Sequence, residues 1–123
     1  MTFPNSWFGA VPALPAGTAS AGQFGAAELI YISGGIAAKS LGSRNLLLGG
    51  QGGVDDNLDR ITGYAEGDMV IISPYADDVT ITVVDSVGMN LQGADFVMND
   101  INDSMVLLNQ GSDTWKELSR SAN

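Results

Sequence analysis

The sequence contains no cysteine and no histidine, and only five lysines and arginines against fourteen aspartates and glutamates in 123 residues. Without cysteine there are no disulfide staples, and without either residue there are no zinc sites of the Cys/His kind. Ser-His-Asp and Cys-His nucleophile systems are excluded as well, and so is imidazole acid–base chemistry. The net charge of −9 leaves nothing to neutralise a run of phosphates, so no nucleic-acid partner is expected. Long apolar runs are also missing. No stretch approaches the ~20 uninterrupted apolar residues of a membrane helix, and no membrane partner is expected. The Ala-rich run Thr18–Ala21 has the look of a signal-peptide end. However, the first basic side chain is Lys39, and Pro4, Pro12 and Pro15 interrupt any apolar core, which reads as a soluble, unprocessed chain.

What is present is an ordered composition, 45% hydrophobic and 15% charged with 16 glycines. The length suits one domain, which would bury roughly two thirds of its unfolded surface. Charge is unevenly spread. Residues 1–54 hold Glu28 against Lys39 and Arg44, whereas residues 55–123 hold thirteen acids against Arg60, Lys116 and Arg120. A nearly neutral front and an acidic remainder fit a molecule with one part facing protein and one facing water, although acidity also serves plain solubility.

The first 27 residues read as an extended arm. They carry three of the four prolines and the apolar residues Phe3, Trp7, Phe8, Val11, Leu14 and Phe24, with neither helical nor strand periodicity. Burying each large ring contributes roughly 1.5–3 kcal/mol, so such an arm is expected to lie on a neighbouring subunit or on its own domain. From residue 28 onward the signal is β. Apolar runs start at Glu28, Asn45, Met69, Val79, Met89, Asp95, Met105 and Thr114, separated by Gly, Asp, Asn or Pro, while Ile36–Ser40 is ambiguous. Short strands at this spacing predict a sandwich, barrel or solenoid, and no solenoid period can be fixed. The expectation is an all-β chain: a single compact β-sandwich or barrel-like domain of short antiparallel strands over residues 28–123. Met69–Ile72 is apolar at every position, which predicts a strand covered on both faces, with Met69 and Ile71 at an oligomer interface. Trp115 is expected to be a core or interface anchor and is placed with them at that interface.

Several patterns imitate chemistry. Asp55–Glu66 has acids or amides at positions one, three and five and a glutamate at twelve, as a calcium loop of the EF-hand demands. The turn position that requires glycine is Arg60, and no flanking helices are predicted. Gly49–Gly53 follows an apolar strand as a phosphate loop would, yet lacks the Lys-Ser/Thr pair and reads as a turn. Paired carboxylates for glycoside cleavage cannot be singled out among fourteen acids. No catalytic residue, cofactor or metal is expected. Gly67-Asp68, Asp77-Asp78 and Asn102-Asp103 each precede an apolar strand, where aspartate bonds nearby backbone and starts a turn. Asn102-Asp103-Ser104 is also a formal glycosylation sequon, but it abuts a strand.

From about Asn45 to the end, the chain resembles a module of small structural proteins of tailed bacteriophages. The resemblance is carried by Asp56-Asn-Leu-Asp59, Ile61-Thr-Gly63 and Glu66-Gly-Asp-Met-Val-Ile-Ile72. It is most specific in Asn90-Leu-Gln-Gly-Ala-Asp-Phe96 and Thr114-Trp-Lys-Glu-Leu-Ser-Arg120. It implies a virion component, often a homotrimer, with no catalytic residues. The combined expectation is a capsid decoration (cement or head-fibre) protein on the outer capsid surface, binding the major capsid protein through Phe3, Trp7, Phe8, Val11 and Leu14. The alternative is a tail-fibre or spike module that recognises host glycans through Trp115, Tyr75 and neighbouring polar groups.

Overall fold

Short apolar runs broken by Gly, Asn and Asp cannot build long ladders, so the chain turns a corner every few residues and returns to the same sheets. The computed structural model describes residues 24–52 and 55–123, which form eleven strands and no helix. They are β1 (Ala27–Tyr31), β2 (Ile36–Ala38), β3 (Asn45–Gly49), β4 (Asp56–Leu58), β5 (Arg60–Thr62) and β6 (Met69–Pro74). The series continues with β7 (Ile81–Val83), β8 (Met89–Asn90), β9 (Phe96–Met98), β10 (Ser104–Gly111) and β11 (Thr114–Ser121). Three sheets result, ordered β1-β3-β6-β10-β11-β8, β2-β5 and β4-β7-β9.

The expected antiparallel pairing is corrected. Five ladders are parallel (β1·β3, β3·β6, β2·β5, β4·β7 and β8·β11), and three are antiparallel (β6·β10, β10·β11 and β7·β9). The partners Ile36 and Arg60, Asp56 and Ile81, and Asn45 and Ile71 are 24, 25 and 26 residues apart. A pass of about that length carries the chain across three sheets and sets its next strand beside the previous one in the same direction, while the first parallel pair, β1·β3, is closed by a shorter pass of 18 residues through β2 alone. These parallel passes wind in the manner of a β-solenoid, and the three sheets are not clearly those of a sandwich or barrel. The physical reason the sequence misled is that period-two alternation fixes which face of a strand is buried but not the direction of its neighbour. The final hairpin reverses the winding. Ser112 and Asp113 both take positive φ (55° and 56°), giving the two-residue turn whose twist matches the flanking strands.

All three sheets feed one core. Leu46, Ile72 and Met105 line up across the large sheet, Ala37 and Ile61 come from β2·β5, and Leu58, Ile81 and Met98 come from the third sheet. The corners are tied by aspartate. Asp55, Asp56, Asp68, Asp77, Asp85, Asp95, Asp100, Asp103 and Asp113 each accept a backbone N–H from a turn or a neighbouring pass. Asp103, which is buried, accepts from both Asn99 and Asn123. Much of the acidity therefore performs turn chemistry, because a short carboxylate reaches backbone donors that a tight corner leaves unpaired.

Candidate interaction surface

The two sides of the large sheet differ sharply in chemistry. Inward positions hold the core. Outward positions, read from the register, form rows: Tyr31-Gly49, Leu29-Leu47-Ser73, Ala27-Asn45-Ile71-Val106-Ser119 and Met69-Leu108-Lys116. Leu29 is 44% exposed, Tyr31 52% and Met69 36%, while Leu47, Ile71, Val106 and Leu108 are half-buried. Lys116 is the only charged residue in these rows, and none of the fourteen acids falls there. A largely apolar sheet face without a single carboxylate, on a chain of net charge −9, is the most distinctive surface among the described residues.

One end of this face is built around a glycine. Tyr31 and Tyr75 meet edge to face with ring centroids 6.1 Å apart, above Gly49. A Cβ at Gly49 would lie 2.9 Å from the Tyr75 ring and 3.0 Å from that of Tyr31, so the missing side chain is what seats the pair. Two aromatic rings fixed side by side at a surface form an amphipathic contact that loses little rotamer freedom on burial.

The sequence-predicted site residues separate on this framework. Met69 and Ile71 lie on the outward face as expected of contact residues, but Val70 and Ile72 point into the core, so among the described residues the strand is covered on one side only. Trp115 is corrected. It is fully buried within the single chain, its Nε1–H donates to the Ile61 carbonyl at 2.9 Å, and its ring meets that of Tyr64 edge to face at 5.8 Å. It offers no surface to a second copy or to a sugar. Phe3, Trp7, Phe8, Val11 and Leu14 lie outside the described residues. The Asp55–Glu66 stretch does not take the form of an EF-hand loop, because it contains β4 and β5 and its acids diverge. Asp55 accepts from Thr80, Asp56 from Gln51 and Asn57, and Asp59 sits beside Gly35. Among the described residues no group of three or more Asp or Glu is placed to hold a metal.

Tyr64 anchors the opposite side of Trp115. Its hydroxyl donates to the Ser43 carbonyl and Lys39 Nζ stands 5.6 Å from its ring centroid. Burial first, then the Glu28 and Asp68 carboxylates, push its pKa up to about 12. The neutral phenol is thus favoured by folding. Its contribution is complete below the ordinary value near 10 and is lost as pH rises from there to about 12. Urea midpoints should fall across that window by an amount on the order of 2–3 kcal/mol more than in Tyr64→Phe. Parallel pH profiles for the two proteins would refute the assignment.

No family model, curated protein or solved structure matches this chain. No helix among the described residues is long and apolar enough to cross a membrane.

Proposed function

We propose that this chain is a structural component of a tailed-phage virion: a capsid decoration protein that self-associates and fastens to the major capsid protein through its N-terminal arm. The observation that carries the reading is the two-sidedness of the molecule. Residues 1–27 contain no charged side chain and six large apolar groups, the large sheet turns a face free of carboxylates outward, and most of the acids gather at the corners of the winding. Such a body suits a role in which one part beds on protein and the remainder stays hydrated. The mechanism is mechanical. Apolar arm residues bury against capsid subunits, and each bound assembly links neighbours that internal pressure drives apart. Glycan recognition through Trp115 is set aside because its ring is enclosed.

The test is the copy number of the chain per purified virion, by quantitative mass spectrometry against the major capsid protein. Hundreds of copies are expected for decoration. A handful in multiples of three would move the chain to a tail or unique vertex, and absence from the particle would refute both. Replacing Phe3, Trp7 and Phe8 together by serine should abolish binding to undecorated capsids while leaving the far-ultraviolet circular dichroism unchanged. Unaltered capsid binding by that variant would remove the arm from the contact.

A further inference from the structure

We propose that the outward face of the large sheet is the surface on which a second copy of this chain docks. The inference rests on the described surface and not on the virion reading. Its first support is electrostatic. Two copies that each carry −9 repel wherever acids face acids, and the corners present acids throughout the winding. The outward row of the β4-β7-β9 sheet, Asn57-Thr82-Val97, also lacks acids but is short and mostly polar, whereas the outward rows of the large sheet join the absence of carboxylates to a broad apolar area. Like can therefore approach like on this face without juxtaposing negative charges, which would cost several kcal/mol elsewhere.

The second support is area. Five strands spaced ~4.8 Å apart and about five residues long at ~3.3 Å each give a face of roughly 24 by 16 Å. Two such faces, counted with the relief of their side chains, bury on the order of 1,000 Å², the lower bound of a specific interface. The third is composition. The face has a central apolar patch in Leu29, Leu47, Ile71 and Val106, with an aromatic pair fixed over Gly49 at one end and Lys116 at the other. An apolar centre with an aromatic anchor and charge only at the rim is the anatomy of a protein contact. Sheet-on-sheet packing at ~10 Å is the geometry it permits.

The experiment uses the full chain in solution, without capsids, by sedimentation velocity over a wide concentration range. The unmodified chain should associate reversibly. Leu29→Glu and Met69→Glu place an acid at exposed positions of the face and should each weaken association by at least ~10-fold. Val97→Glu adds the same charge at a comparably exposed position of the β4-β7-β9 sheet and should leave association unchanged. All three sites are exposed, so urea midpoints should match the unmodified chain. A chain that is monomeric at every concentration would overturn the proposal, as would association indifferent to Leu29→Glu and Met69→Glu, or equally sensitive to Val97→Glu. A failure here leaves capsid copy number untouched, and a failure there leaves this association intact.

Discussion

Trp115→Ala should leave a protein that melts about 15–35 °C below the unmodified chain, which for a domain of this size is close to no stable fold at physiological temperature. The ring is wholly enclosed, and its position on β11 opposite Met89 puts it where the last hairpin meets β8. Its indole N–H reaches across to the Ile61 carbonyl of β5, so a single side chain joins the large sheet to the β2·β5 sheet. Truncation removes the ring, leaves a cavity and strands that carbonyl. Trp→Ala changes in cores cost about 3–5 kcal/mol, against a total of about 5–15 kcal/mol for a whole domain. Trp115→Phe should retain most of the buried area, lose the hydrogen bond and fall between the two. Thermal unfolding followed by circular dichroism reads both. A Trp115→Ala protein that melts within a few degrees of the unmodified chain would show that the β5 connection is dispensable.

Glu117→Ala should be the next most damaging change, at roughly 2–3 kcal/mol. Glu117 is 2% exposed and accepts from Arg120 Nε at 2.7 Å, from Arg120 Nη2 at 2.8 Å and from the Gln92 backbone N–H at 2.8 Å. Arg120 in turn donates to the Ala94 carbonyl and lies 4.8 Å above the Phe96 ring. The pair thus pins the segment between β8 and β9 against β11. Removing the carboxylate leaves a guanidinium short of its main partner, but that side chain is 29% exposed and water relieves part of the penalty. The Arg120 hydrogen bonds hold the Glu117 carboxyl below its ordinary value near 4.5, outweighing the opposing effect of burial. A depressed folded-state pKa means that the stabilisation is present above the ordinary value and is lost as pH falls through the lower one. The gap in urea midpoint between the unmodified chain and Glu117→Gln should therefore be full at neutral pH and narrow progressively in acid. A gap independent of pH would mean that the charge does not supply the stabilisation.

The all-β character and most strand positions are legible in the residues, since Val79–Val84, Asp95–Met98 and Met105–Leu108 show runs or alternation that suit only a pleated, half-buried chain. β4 and β5 are not legible. Their buried residues Leu58 and Ile61 are three apart rather than two, because the chain bends at Asp59, whose N–H donates to the Gly35 carbonyl. That corner is set by a residue 24 positions earlier and leaves no local signature, so the same acids imitate a calcium loop. Strand direction is hidden for the same reason, since the parallel ladders join residues far apart along the chain. The turn Ser112–Asp113 is likewise quiet in sequence, as it lacks the Asn-Gly or Asp-Gly pair that usually announces such geometry. On the interaction surface, Met69 and Ile71 could be singled out from the unbroken apolar run of β6. Leu29, Leu47 and Tyr31 could not, because their shared face exists only once β1, β3 and β6 are stacked.

The placement of β10 has a consequence for the chain while it is being synthesised. β6 ends at Pro74, and the strand that seals its free edge begins at Ser104. At ~5–20 residues per second a ribosome needs roughly 2–6 s to make the stretch between them. The same interval separates the emergence of the two strands from the ribosome, and in it β1, β3 and β6 can lie together with a row of unsatisfied backbone groups along an apolar strand and nothing yet beside it. The emerging polypeptide is therefore at its most adhesive after β6 has left the ribosome and before β10 has followed it, and a delay between the two would lengthen its exposure to neighbouring chains on the same message.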